Sequence, residues 1–255
     1  MKFCPIVPVC LLRKLAAPSR AHMVLAQYCE LAPYFEFYRS RVVRGDLVIL
    51  DNGAYEGETL SAARLLSVVR WLEPTVVVAP DKPGDYDATK KMSREFLKTL
   101  RLVKPNVQCM KVLHAADGFL GMFLKDYEES AHVYEWVGFS RLTAHYRSDE
   151  QKLSIDRRAR FACQLYASGL WSQTTNHHAL GMLDGNVAEL RVLGRLGFAS
   201  CDSSAPVWRG LRGKKLTDTW PDWKFDPEVV GFSKFEKELA ALNLQEVQRA
   251  CRKYA

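Results

Sequence analysis

Three aspartates stand directly after short apolar runs: Asp51 after Val-Ile-Leu, Asp81 after Val-Val-Val-Ala-Pro and Asp202 after Phe-Ala-Ser-Cys. Carboxylates aimed at one mouth raise one another's pKa unless cations or hydrogen-bond donors offset them. Such a group can divide the tasks of nucleophile, proton donor and ligand acceptor. Each also has a structural competitor. Asp51 opens Asp-Asn-Gly, a turn signal that brings Asn52 and Gly53 to the same strand end. Asp81 lies in Pro-Asp-Lys-Pro-Gly-Asp, which reads equally well as a turn or a helix cap. Asp202 is followed by Ser203 and Ser204, alternative caps that leave its own carboxylate harder to assign to capping. Other run ends supply His114, the segment Gly138-Phe139-Ser140-Arg141, and Gly181-Met182. His114 reads either as a ligand contact or as a hydrogen-bonded neighbour. Adjacent His177 and His178 are no metal pair on a strand, because neighbours point to opposite faces; one of them is expected at the mouth or core.

Away from these run ends, Trp208, Arg209, Arg212, Lys214 and Lys215 fall together in Trp-Arg-Gly-Leu-Arg-Gly-Lys-Lys, within a chain of formal net charge +7. That is either a solvated loop or a phosphate-contacting segment. The seven cysteines form no CxxC pair and no cluster with histidine at zinc spacing, so neither a metal nor a disulfide framework is expected. No run of about 18 apolar residues occurs, and the Pro-punctuated N-terminus does not read as a signal peptide; the expectation is a cytoplasmic protein with no membrane partner.

Positioning such residues requires strands that end together. Eight apolar runs are placed at Phe3–Val9, Met23–Gln27, Leu47–Leu50, Thr75–Ala79, Val107–Leu113, Tyr134–Gly138, His178–Met182 and Phe198–Cys201. Helical stretches are placed at Leu60–Leu72, Ala88–Val103, Gly118–Ser130, Ile155–Ser168 and Val187–Leu196. A last helix at Ser233–Lys253 carries Phe235, Leu239, Leu242 and Val247 on one side. The segment between the first two runs, Leu11 to Ala21, is short for a barrel helix and contains Pro18. Near-continuous apolar strands alternating with helices are what a parallel sheet buried on both faces requires. The 255 residues, without repeat or composition break, suit one α/β domain spanning 1–255, a single (β/α)8 TIM barrel whose active site lies at the carboxyl ends of the strands. An open doubly wound sheet is the alternative, but no GxGxxG or GxxxxGK[ST] turn follows any strand.

In order along the chain, the run-end motifs resemble those of the tRNA-guanine transglycosylase superfamily, most closely its compact phage and bacterial members that insert 7-deazaguanines into DNA. Asp51-Asn52-Gly53-Ala54-Tyr55 resembles the family's DSGGF, whose Asp acts in acid/base catalysis. Ala79-Pro80-Asp81 resembles the strand-end Asp that binds the guanine-type base. Val137-Gly138-Phe139-Ser140 is similar to its glycine-containing base-contacting loop, and His178-Ala179-Leu180-Gly181-Met182 to its LMGVG strand. Cys201-Asp202-Ser203-Ser204-Ala205-Pro206 is similar to the segment that carries the nucleophilic Asp. The pattern also departs from the family. DSGG has become DNGA. The three closely spaced cysteines and the histidine that bind zinc in the tRNA enzymes are missing, since only Cys251 follows Cys201. That departure moves the implied substrate toward DNA, with tRNA as the alternative.

The resemblance therefore implies exchange of guanine in a nucleic acid for a 7-deazaguanine base such as 7-cyano-7-deazaguanine, without a cofactor. Asp202 would be the nucleophile and Asp51 the acid/base. Asp81, Asn52, Gly53, His114, Gly138, Phe139, Ser140, Gly181 and Met182 would surround the base. Trp208, Arg209, Arg212, Lys214 and Lys215 would hold the nucleic acid, with Tyr55, Phe139 and Trp208 as stacking candidates for a flipped base. A hydrolytic N-glycosidase and a non-catalytic nucleic-acid-binding barrel remain open on the residues themselves.

Overall fold

Eight parallel strands make one sheet in the computed structural model, which describes residues 1–54, 60–114, 120–140, 153–182, 187–218 and 226–253, the backbone alone at 153–157 and 188. The strands are β1 (Lys2–Pro5), β2 (Ala21–Leu25), β3 (Leu47–Asp51), β4 (Val76–Val78), β5 (Gln108–Leu113), β6 (Trp136–Ser140), β7 (Asn176–Leu180) and β8 (Ser200–Ser203). Their order is β1-β8-β7-β6-β5-β4-β3-β2. β1 and β2 lie beside each other at the seam, with no backbone ladder between them among the described residues. The sheet is thus a nearly closed (β/α)8 barrel of the TIM type.

The connecting helices are α1 (Ala32–Val43), α2 (Ala62–Leu72), α3 (Tyr86–Val103), α4 (Leu120–Ala131), α5 (Leu153–Ala167), α6 (Val187–Arg195), α7 (Ala205–Leu211) and α8 (Lys234–Lys253). Ser61 and Asp85 start α2 and α3 by accepting the backbone N–H groups of Arg64 and Ala88. Between β1 and β2 there is no α-helix, only a 3-10 turn at Val9–Leu11 and a π-helical turn at Leu12–Ala16. Three elements depart from the sequence expectation. α1 had no counterpart there, since its Ala-Pro-Tyr-Phe-Glu-Phe-Tyr start lacks a clean apolar stripe. The short α7 replaces what read as a basic loop. α8 does close the barrel beside β1, but through Ala240, Asn243, Leu244, Val247 and Cys251, whereas Phe235 and Leu242 are exposed. Close approach to α7 dictates that choice. A Cβ on Gly210 would stand 2.7 Å from the carbonyl carbon of Leu239 and nearer still to the backbone of Ala240.

Strand alternation sorts the side chains into two layers. Met23, Leu25, Ile49, Val76, Val78, Met110, Val112 and Trp136 fill the barrel with Cys4 and Ile6. Val48, Leu50, Val77, Cys109, Val137, Phe139, Ala179 and Cys201 face the helices. A slip of one residue would exchange the layers and turn every mouth residue outward.

Two histidines are trapped in the helix-facing layer. His177 stacks on Trp171 with ring centroids 3.8 Å apart, and His22 packs edge-on against Phe37 and Tyr38. Burial lowers both imidazoles from about 6.5 to about 4. Below pH 6.5 the unfolded chain takes up protons that the folded chain refuses, so stability falls as the pH drops from about 6.5 to about 4. Urea denaturation should show a loss of roughly 2 kcal/mol per histidine between pH 7 and pH 5. A stability unchanged over that interval would contradict the burial account.

Candidate active site

Carrying the inner-layer register to the carboxyl ends of the strands leads from Ile49 to Asp51, from Val112 to His114, from Gly138 to Ser140 and from Ser200 to Asp202. The polar residues of the sequence motifs therefore share the mouth of the barrel with the chemistry-bearing end of the fold.

Asp202 is almost fully buried and sits opposite Cys4 in the parallel register of β1 and β8. Its Oδ1 accepts two hydrogen bonds, from His178 Nε2 at 3.0 Å and from the backbone N–H of Gly181 at 3.0 Å. Gly181 has φ +64°, a left-handed conformation that costs glycine nothing and that sets its N–H toward the carboxylate. Among the described residues no hydrogen bond reaches Oδ2. The turn into α7 is served elsewhere, because Ser203 Oγ accepts the N–H of Ala205 at 3.0 Å. Capping does not account for Asp202.

Asp51 is half-buried at the end of β3, and its Oδ2 accepts the N–H of Gly53 at 3.2 Å. The expected turn is thus present, with Gly53 at φ +78°. Next to it Asn52 is buried and both of its amide hydrogens are used. Nδ2 donates to the Ala79 carbonyl at 2.7 Å and to Asp81 Oδ1 at 2.6 Å, while Oδ1 accepts the N–H of Ala54 at 2.9 Å. The other oxygen of Asp81 meets His114 Nε2 at 2.6 Å. His114 is anchored in turn by its own N–H to Asp126 Oδ2 at 3.1 Å, and Asp126 is paired with buried Lys111. Burial pulls the Lys111 ammonium below its ordinary pKa, and the carboxylates of Asp126, foremost, and Glu129 oppose this.

Asn52 and His114 therefore hold Asp81 from both sides, and neither is a free base contact. The carboxylate oxygens keep further lone pairs for a ligand. Because α3 is capped by Asp85, the alternative role of Asp81 as a cap is not used. Removing the Asn52 clamp with Asn52→Ala should cost about 1–3 kcal/mol, since the Ala79 carbonyl and Asp81 lose a buried donor. Equilibrium unfolding in urea reads this directly, and a loss under about 0.5 kcal/mol would show that the link is dispensable.

Several expected contacts lie elsewhere. Phe139 faces the helices, buried among Phe123, Tyr127, Trp171 and Phe198, and cannot stack on a base in the mouth. The alternation that brings Ser140 inward sends Phe139 outward. Gly138 does face the interior, but a Cβ there would stand 2.7 Å from Leu180 Cδ1 and 3.1 Å from Met110 Sδ, so its smallness serves packing below the mouth. Met182 is buried, and its N–H and carbonyl bond the Asp202 carbonyl at 2.9 Å and Ser203 Oγ at 3.3 Å. Trp208 and Arg209 are buried in α7, where the Arg209 guanidinium donates to the carbonyls of Leu216 and Asp218. A helix that docks on α8 has turned two of the five expected nucleic-acid contacts inward. Arg212, Lys214 and Lys215 remain exposed on the following turn. Tyr55 and Arg141 lie outside the described residues.

The histidine expected at the mouth or core is His178, and it touches Asp202, a contact that the sequence did not show; alternation counted back from the strand end could have picked which of the two faces inward. A second feature had no counterpart in the sequence. Arg158 of α5 is buried, pairs with buried Glu189 of α6 and donates from Nη1 to the carbonyls of Phe139 at 3.1 Å and Leu180 at 2.8 Å. It ties the carboxyl ends of β6 and β7 together. No group of three or more His, Cys, Asp or Glu side chains among the described residues is placed to hold a metal ion, and no described helix is long and apolar enough to cross a membrane. No protein-family model matches the chain, and no curated protein matches it.

Proposed function

We propose that the chain is a guanine transglycosylase acting on nucleic acid, with DNA preferred, and that it replaces guanine with a 7-deazaguanine base. The observation that carries this reading is the pair of inward-facing carboxylates, Asp51 at the end of β3 and Asp202 at the end of β8. Asp202 is held by two donors on Oδ1 and by none on Oδ2 among the described residues. Such an arrangement presents one oxygen of an oriented carboxylate to a substrate.

In the first half-reaction Asp202 Oδ2 bonds to the anomeric carbon as the bond from that carbon to N9 of guanine breaks. The electron pair goes to the base, and Asp51 delivers a proton to it. In the second half Asp51 takes the N9 proton of the incoming 7-deazaguanine, N9 bonds to the anomeric carbon, and Asp202 leaves as carboxylate. The product retains its sugar configuration after two displacements. Asp81, oriented by Asn52 and His114, accepts the paired N–H groups of the guanine-type edge. Exposed Arg212, Lys214 and Lys215 supply phosphate contacts.

The preference for DNA follows from the sequence, which lacks the cysteine-rich segment of the tRNA enzymes. The test is to incubate the protein with duplex DNA, single-stranded DNA and tRNA, each carrying labelled guanine, and a panel of 7-deazaguanines. Release of label that depends on the added base, strongest from DNA, is the expected result. Release without incorporation would instead identify a hydrolytic N-glycosidase, and binding without release a non-catalytic barrel.

A further inference from the structure

We infer that His178 is a positioning residue for the nucleophile. Its Nε2–H fixes Asp202 Oδ1, and Ser200 holds the imidazole in the tautomer that can do so. This rests on the transglycosylase reading of Asp202. His178, Ser200 and Asp202 occupy alternate inward positions on the neighbouring strands β7 and β8, and His178 lies opposite Ser200 in the parallel register. His178 and Ser200 are completely buried and Asp202 nearly so. Ser200 Oγ lies 2.7 Å from His178 Nδ1, and His178 Nε2 lies 3.0 Å from Asp202 Oδ1.

A carboxylate only accepts, so Nε2 must carry a proton; in the proposed arrangement Nδ1 is bare and accepts from the Ser200 hydroxyl. The Gly181 N–H reaches the same Oδ1 from the turn after β7. Two donors on one oxygen stop the carboxyl group from rotating and leave Oδ2 to bond the anomeric carbon. In the glycosyl-enzyme ester Oδ1 is the carbonyl oxygen. The same two donors then draw charge back onto it as Asp202 departs, which favours the second half-reaction.

Three variants separate this role from a merely structural one. His178→Phe keeps a ring in the space but removes the donor, and kcat for base exchange should fall by about 100-fold with KM for the nucleic acid unchanged. His178→Gln returns an N–H at similar reach and should stay within about tenfold of the unmodified protein. Ser200→Ala removes only the tautomer lock and should lose about threefold to tenfold. A readout that needs no turnover accompanies them. Nitrogen-15 chemical shifts of the His178 ring should report Nε2 protonated and Nδ1 bare in the unmodified protein, with Nδ1 moving in Ser200→Ala.

A His178→Phe protein that folds and keeps kcat within threefold overturns the inference, as does a ring protonated at Nδ1. If His178→Phe does not fold, the relative rates of His178→Gln and Ser200→Ala and the ring shifts decide the question. Should the unmodified protein exchange no base on any polymer, the transglycosylase reading fails instead, while the ring shifts still decide whether Ser200 holds the Nε2–H form against Asp202.

Discussion

On the proposed transglycosylase reading, Asp202→Asn is expected to lower guanine exchange by at least about 10³-fold while leaving the fold and the affinity for nucleic acid in place. Asparagine is nearly the same shape, and its carbonyl oxygen can still accept from His178 Nε2 and the Gly181 N–H, the two groups that bond Oδ1 in the native protein. What it cannot do is displace a base from an anomeric carbon, because the amide is a far weaker nucleophile than a carboxylate. Asp51→Asn should be less severe, about 10²-fold, because it removes proton transfer and leaves the attacking group intact. Both rates are read from base-dependent label release under single-turnover conditions. An Asp202→Asn protein that exchanges guanine within tenfold of the native rate would remove Asp202 from the reaction.

The largest expected effect on stability lies at a residue with no part in the chemistry. Arg158→Met should destabilise the fold by about 3–5 kcal/mol, since it leaves the Glu189 carboxylate buried without its cation and strips a donor from the carbonyls of Phe139 and Leu180. For a chain of this size that corresponds to a drop in Tm of roughly 6–20 °C. Two uncharged residues of similar volume restore much of the loss when both partners change, because the cost is that of a stranded charge and not of the missing pair. Arg158→Met with Glu189→Met should accordingly melt several degrees above Arg158→Met alone. A single variant that melts with the native protein would show that the clamp at the ends of β6 and β7 is unnecessary.

The barrel was legible because its strands advertise themselves. Runs such as Val76–Val78 and Leu47–Leu50 are apolar on both faces, and only a sheet covered by helices outside and filled inside asks for that. All eight runs correspond to strands, displaced by a few residues at their ends. α1 escaped notice because aromatic residues and Pro33 obscure its period, and α7 because seven residues hold too few turns to show one. The buried face of α8 was misread for a related reason. Periodicity points to the larger apolar residues Phe235 and Leu242, whereas packing against Gly210 selects small Ala240.

At the mouth, the sequence singled out Asp51, Asp81 and Asp202 through their place after the strands, and that depends on local order alone. Partners are a different matter. That Asn52 spends its amide on Asp81 and Ala79, or that Arg158 meets Glu189 across two helices, is a relation between residues 27 to 31 positions apart, and nothing in either local segment records it. Phe139 and Arg209 show the converse. Each sits in a segment whose neighbours belong near the mouth, and each is turned away from the mouth and buried by the element it occupies.

Guanine exchange itself is tested most directly by the nucleosides the protein leaves behind. Duplex DNA incubated with the protein and 7-cyano-7-deazaguanine, then digested to nucleosides and analysed by mass spectrometry, should contain the corresponding deazaguanine deoxynucleoside in an amount equal to the guanine released, and Asp202→Asn should yield none. DNA and tRNA that both keep all their guanine, or that lose it only to abasic sites, would contradict the account.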